Sequence, residues 1–350
     1  MARPDQRRGR RRADPKARGT RPGGSLRIWT WIWFLVSIAG ILAVCSAWLT
    51  LWFPVEVPGW VPRSGAVLIT TTFALALGVR TGGRPLVSGA VALVLTTVAV
   101  VTQLPVLLAG ATVATAVVGA LLGVLATTPA ARFSGVIREC LVASLVAVVA
   151  AFTAQAYGAP VAVERTEYLV LGLGLVVVLV LVHRLGAGLQ GLGRRGTVGI
   201  IAGLALLAVG MAYTKALTTW GSPELVGALE DGNAAARDLL GVVPRPIEVL
   251  LGFPALAWGV STRARRRQGW WPCAFGAAGL AGVATSLLDP RVSVVEAGLT
   301  LAYGVALGLV LGYLVIRGDA FLSGNRGARA RRAEEAAAHR PEPRRTAPLL

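Results

Sequence analysis

Apolar residues in this chain occur in about ten long runs, and this feature constrains the fold more than any other. Most runs contain about 15–25 residues, close to the length that a helix needs to cross a bilayer. Charged residues make up only 15% of the 350 positions, against about 25% in a soluble domain. The predicted spans are residues 28–53, 65–79, 86–102, 106–127, 139–157, 168–183, 198–217, 247–261, 271–288 and 293–316. The sequence therefore predicts an all-α polytopic integral membrane protein, a bundle of about ten transmembrane helices with disordered basic termini.

The basic residues are distributed as the positive-inside rule requires for such a bundle. Of the 35 Lys and Arg residues, ten lie in residues 1–27, eleven in alternate connections and eight after residue 316, which together make 29. The other connections carry five basic residues against nine acidic ones, and the last lysine lies inside an apolar run. We therefore predict a multi-pass protein of the cell (cytoplasmic) membrane with both termini in the cytoplasm.

Two basic tails flank the predicted transmembrane domain of residues 28–316. Residues 1–27 have nothing to bury and are predicted to be disordered. Residues 317–350 are predicted to be partly helical and to end in a disordered stretch over 341–350. We expect both cytoplasmic tails to contact anionic lipid headgroups of the bilayer. Because topology accounts for the net charge of +18, no specific nucleic-acid partner is predicted.

One connection on the predicted outer side, residues 218–246, is long. Ser222, Pro223 and Glu224 are typical of a helix start, with an N-cap, a proline in the first turn and an acid near the positive end of the helix dipole. Asn233 is expected to cap a second helix that Gly241 ends. We predict two short helices lying on the outer membrane surface.

Two ionisable residues lie roughly a turn inside the outer ends of predicted spans, where a charge is costly and is a candidate for function. Lys215 and Glu296 lie at similar predicted depth and have opposite charge, so we predict a membrane-embedded charge pair. The alternatives are that each side chain reaches the outer interface or that the pair is purely structural. Further polar residues expected at this depth either line an outward-open cavity or meet headgroups: Gln103, Gln155, Tyr157, Thr214, Thr218, Thr219 and Thr285.

Glycines at strict four-residue spacing mark one face of the last span. Gly304, Gly308 and Gly312 would let another helix approach closely. Two interpretations fit this candidate helix-packing seam, namely packing inside the bundle and a homodimer interface.

Sequence motifs for catalysis or cofactor binding do not occur in the chain. It has no P-loop, no HExxH and no usable Ser/His/Asp set, and its three cysteines are far apart. No catalytic residue, metal or cofactor is predicted, and an enzyme is disfavoured.

Three function classes remain open. The favoured one is a permease or a lipid or envelope-substrate transporter with a polar site toward the outer leaflet. The alternative is a non-catalytic membrane scaffold or assembly partner of an envelope complex, which would act through a homodimer or a membrane-protein partner. An envelope enzyme that uses carboxylates of residues 218–246 is the weakest.

Overall fold

The computed structural model describes residues 24–49, 56–184, 198, 201–209, 223–264, 269–323 and 342–349. Within these ranges the regular structure is helical throughout. A π-helical turn, Glu248–Gly252, directly precedes α9. The helices are α1 (Gly24–Leu49), α2 (Trp60–Arg80), α3 (Pro85–Thr102), α4 (Pro105–Leu125), α5 (Phe133–Ala156), α6 (Val163–Arg184), α7 (201–209), α8 (Pro223–Leu240), α9 (Phe253–Arg263), α10 (Trp270–Thr285) and α11 (Val294–Ser323).

Seven helices in the described ranges, α1 to α6 and α11, are long and apolar enough to cross a membrane. The prediction of a multi-spanning helical bundle is therefore supported, whereas the predicted number of ten is not confirmed. The predicted span 247–261 is divided into the π-turn and the 11-residue α9, and 271–288 is the 16-residue α10. The predicted span 198–217 lies partly outside the described residues.

Helix α10 lies at the centre of the bundle and contacts α4, α5, α6 and α9. Only Pro272 and Gly282 of its residues are not buried. Because protein surrounds α10, its length need not match the thickness of a bilayer. Its many Ala and Gly residues permit close contact: a Cβ on Gly252 would lie 2.7 Å from the backbone nitrogen of Gly279. The length of this apolar run in the sequence therefore could not show whether the helix crosses the membrane.

A tight hairpin joins α3 and α4 between the predicted spans 86–102 and 106–127. Helix α3 ends at Thr102, Gln103 adopts a left-handed conformation with φ of 53°, and α4 begins at Pro105. Proline suits the first turn of a helix because its missing N–H has no partner there in any case. The surfaces of α3 and α11 expose large apolar side chains such as Leu86, Leu95 and Val310, as expected of helices that face lipid.

Three predictions about the connections and tails require correction. The long connection contains one continuous helix, α8, rather than two short ones, although Gly241 does follow its end with a φ of 77°. Helix α11 continues to Ser323, seven residues beyond the predicted end. Residues 342–349 are not disordered, because they are hydrogen-bonded to the bundle. Hydrophobicity could not reveal that last contact, which joins residues far apart in the sequence.

Four arginines meet at one end of the bundle, which we call the arginine-rich end: Arg80, Arg138, Arg263 and Arg345. The glycines of α11 align it in parallel with α9, since Gly304 faces Glu248 and Gly312 faces Ala257. Both helices therefore begin at the opposite end, where α10 ends and the candidate site lies.

Candidate functional site

A buried carboxylate, that of Glu248, occupies the first position of the π-turn. Pro254 accounts for the irregular turn, because its ring lacks an N–H and would clash with the carbonyl of Leu250 in a regular helix. The chain responds with a wider turn in which the N–H of Phe253 bonds to the carbonyl of Glu248 five residues earlier. Such π-turns often mark functional sites.

Two glycines on neighbouring helices make room for the Glu248 side chain. A Cβ on Gly282 of α10 would lie 2.9 Å from Oε1 of Glu248, and a Cβ on Gly304 of α11 would lie 2.8 Å from Oε2. Glu248 is thereby enclosed between α10 and α11, and only 2% of its surface is exposed.

Oε2 of Glu248 is buried and has no hydrogen-bond partner among the described residues. Burying a carboxylate without a partner costs free energy, so nearly all buried polar groups in proteins are bonded. The neighbouring cation offers limited compensation. Arg245 pairs with Glu167 at 3.1 Å and donates a second hydrogen bond of 2.8 Å to the carbonyl of Gly282. Oε2 therefore keeps a hydrogen-bonding capacity that no described residue uses.

Glu248 lines a cavity of about 260 Å³ between α5, the π-turn, α10 and the start of α11. Its polar lining residues are Arg245, Glu248, Ser286 and Thr300, and the other walls are mainly apolar. Typical pockets for drug-sized ligands have volumes of about 300–1,000 Å³. This cavity therefore suits a small solute or a single headgroup rather than a whole lipid molecule.

The predicted pair of Lys215 and Glu296 remains a prediction, because Lys215 lies outside the described residues. Glu296 is half-buried in the first turn of α11, and its N–H donates to Oγ of Ser293 at 3.1 Å. Ser-Val-Val-Glu at this position has the spacing of a capping box. The contact caps the helix through the Ser293 side chain and the backbone of Glu296, and it assigns no role to the Glu296 carboxylate.

Of the other polar residues predicted near this depth, Thr214, Thr218 and Thr219 lie outside the described residues, and the remaining four do not line the cavity. Tyr157 is fully buried, and its hydroxyl is 2.8 Å from Oγ1 of Thr70. Thr285 donates to the carbonyl of Ala281 in its own helix, and Gln103 lies exposed in the hairpin. Gln155 lines a different cavity, together with Arg63.

The glycines of the α11 stripe face the π-turn and α9 within the same chain. A Cβ on Gly308 would lie 2.6 Å from Cβ of Phe253, and a Cβ on Gly312 would lie 2.8 Å from Cβ of Ala257. These positions are thus covered by helix inside the bundle. A homodimer would have to use another part of the surface.

Substituting glycines of α11 tests this packing. We expect Gly308→Ala to lower the free energy of unfolding by about 1–3 kcal/mol, because an added methyl group overfills a tight contact. The matched control is Gly298→Ala on the same helix, where a Cβ would meet nothing within 4 Å. Thermal unfolding in detergent measures both. Equal stability of the two variants would contradict the close contact.

Sequence reasoning missed Glu248 and counted it with the outer acidic residues. A usable signal was present, since Glu248 directly precedes an apolar run that is interrupted by Pro254. A Gly- or Pro-interrupted apolar segment is a recognised pointer to a binding site in transporters. Among the described residues no group of His, Cys, Asp and Glu is placed to hold a metal ion.

No known protein family, curated protein or solved structure matches this chain. The functional argument therefore depends on the site itself.

Proposed function

We propose that the protein is a permease with a polar site toward the outer leaflet, and that Glu248 binds the positively charged group of its substrate. The observation that carries this proposal is the buried Glu248 carboxylate, which lines a cavity while one of its oxygens lacks a partner. A cation that entered the cavity would lie beside the carboxylate and offset the cost of burying its charge.

The charges and walls of the cavity favour a cation over an anion. Arg245 and Glu248 line the cavity, and Glu167 pairs with Arg245 from outside the lining. The three side chains together carry one more negative than positive charge when both carboxylates are ionised. Phe152 also lines the cavity, and an aromatic ring can hold an ammonium group through a cation–π interaction. The substrate class is therefore a small organic cation or the ammonium headgroup of a lipid.

The irregular backbone beside Glu248 supports transport rather than static binding. Transporter sites commonly lie where a membrane helix is broken, and the surrounding helices rock about that point. Here the π-turn and Pro254 interrupt the helix beside the cavity, and glycines of α10 and α11 face the interruption. Both features permit small sliding movements of helices against one another.

A non-catalytic scaffold is the second candidate. Further into the bundle from Glu248, the core consists mainly of buried apolar side chains such as Leu256, Val260 and Leu280. A solid core of this kind would serve a protein that only holds partners in the membrane. The two functions differ in whether the cavity admits and moves a solute.

Charge-selective labelling tests access to the cavity from outside the cell. We expect Ser286→Cys in intact cells to react faster with a cationic than with an anionic methanethiosulfonate, because the local field concentrates cations. The ratio of the two rates should be about tenfold higher than for Ala162→Cys, which lies outside the cavity. Adding Glu248→Gln should remove the preference, and the unsubstituted protein measures the background from native cysteines. Equal rates with both reagents would refute a cation-selective site.

Transport is tested with purified protein in liposomes, and two arms separate the possible sources of the ammonium group. Uptake of radiolabelled ethanolamine and choline reports a free cation. Movement of a fluorescent phosphatidylethanolamine between leaflets, detected by dithionite quenching, reports a headgroup. We expect one arm to exceed both empty liposomes and the Glu248→Gln variant. Activity in neither arm would favour the scaffold.

A further inference from the structure

Residues 342–349 occupy a cleft at the arginine-rich end of the bundle. The cleft is formed by the end of α2, the connection after α4, the start of α5 and the end of α9. Two ion pairs cross it: Glu342 with Arg263 and Arg345 with Glu139. Glu139 itself is fully buried and also accepts from Arg138 and from the N–H of Thr128. The segment thus meets side chains that other parts of the bundle already hold in place.

Arg80 recognises the backbone of this segment. It is 1% exposed, and its Nε donates to the carbonyl of Leu125 at 2.7 Å. Its Nη1 donates to the carbonyls of Arg344 and Ala347, both at 2.9 Å, and its own carbonyl accepts from the N–H of Leu349 at 2.9 Å. Leu349 also packs against the main apolar core. The cleft therefore bonds to the backbone of the segment's turn and contacts one apolar and two charged side chains.

The contacts are specific, but each is of a kind that can be exchanged. The side chains of Glu342 and Arg345 are 19% and 31% exposed, whereas their partners Arg263 and Glu139 are fully buried. Water therefore reaches only the segment's side of each ion pair. Nη2 of Arg80 is buried without a partner in the described structure, so the segment does not use every donor of the cleft. Eighteen residues separate Ser323 from Glu342, and they can span at most about 65 Å. A tethered ligand binds at a high effective concentration, so even weak affinity suffices.

We propose that this cleft is a peptide-binding site whose resident ligand is the segment 342–349, and that the docked segment locks the arginine-rich end closed. The segment bridges the ends of α2, α5 and α9, which must separate if this end is to open. Release of the segment removes its contacts and leaves the bonds of Arg80 to Leu125 and of Arg263 to Thr127 as direct links between these ends. The binding does not depend on the proposed transport, whereas its effect on access rests on that function.

Hydrogen exchange of the full-length protein, read by mass spectrometry, tests the binding without any transport assay. We expect the C-terminal amides, including Ala347 and Leu349, to exchange at least about tenfold more slowly than in a free peptide of residues 340–350, because docking must open first. Arg345→Ala should speed this exchange about threefold to fivefold, the worth of a partly exposed ion pair. The matched control is Arg344→Ala, which removes the same charge from an exposed side chain.

Competition shows whether the segment is an exchangeable ligand. An excess of the free peptide, distinguished by mass, should accelerate exchange of the tethered segment, whereas a scrambled peptide should not. Exchange at the free-peptide rate in the wild-type protein would refute docking. Protection that neither the peptide nor Arg345→Ala reduces would show a fixed part of the fold. If transport is found, Arg345→Ala should raise its rate above that of Arg344→Ala, and equal rates would refute the lock alone.

Discussion

Replacing Glu248 with glutamine should stabilise the protein and abolish its transport. The substitution keeps the size and shape of the side chain but removes a charge that is 98% buried and has an oxygen without a partner. Leaving a buried polar group unsatisfied costs about 1–3 kcal/mol, and more when it is charged. We therefore expect the free energy of unfolding in detergent to rise by about 1–3 kcal/mol while uptake falls to the level of empty liposomes.

The opposite responses of stability and activity make this result diagnostic. A residue that strains the fold for the sake of a ligand shows such a trade-off, whereas a structural residue loses both when it is changed. Glu164→Gln is the matched control, because Glu164 is an exposed carboxylate at the start of α6, and it should alter neither property. A marked loss of stability in Glu248→Gln would show that the ionised carboxylate serves the fold, and it would remove the main support for a binding site.

Sequence alone predicts those parts of the fold that depend on residues close together in the chain. The hairpin at Gln103 and Pro105 follows from local backbone preferences, and long apolar runs specify helices such as α3 and α4 wherever they pack. Helix α10 is different, because its 16 residues become intelligible only when α4, α5, α6 and α9 are seen to surround it. Apolar composition reports that a segment avoids water, but lipid and protein satisfy that requirement equally well.

The candidate site was hidden for the same reason. Glu248 lies two residues after Pro246 in a region rich in acids, so sequence position suggests a solvated connection. Its burial depends on Gly282 and Gly304, which lie 34 and 56 residues further along the chain. The docking of residues 342–349 likewise depends on Arg80, more than 260 residues away. Single-sequence patterns contain no direct record of such contacts.

Arginines at the arginine-rich end illustrate how one residue type can serve two purposes. The positive-inside rule explains why arginine is frequent in alternate connections, and it treats Arg84 and Arg263 as equivalent. The structure separates them. Arg84 is exposed, whereas Arg263 is buried, donates to Oγ1 of Thr127 at 2.7 Å and to its carbonyl at 3.0 Å, and lies 3.5 Å from the ring centre of Trp270.

We therefore expect Arg263→Met to lower the free energy of unfolding by about 3–5 kcal/mol, because removing one member of a buried charged network strands its partners. Arg263→Lys should recover only part of this loss, since an ammonium group cannot reproduce the planar fork that bonds to Thr127 and Glu342 together while stacking on Trp270. Arg84→Met removes the same charge from an exposed position and should leave stability nearly unchanged. Thermal and denaturant unfolding of the three variants in detergent measures the difference. Equally small losses of unfolding free energy at Arg84 and Arg263 would mean that this end requires only positive charge from its arginines. The cleft would then lack the rigid frame that binding of residues 342–349 needs.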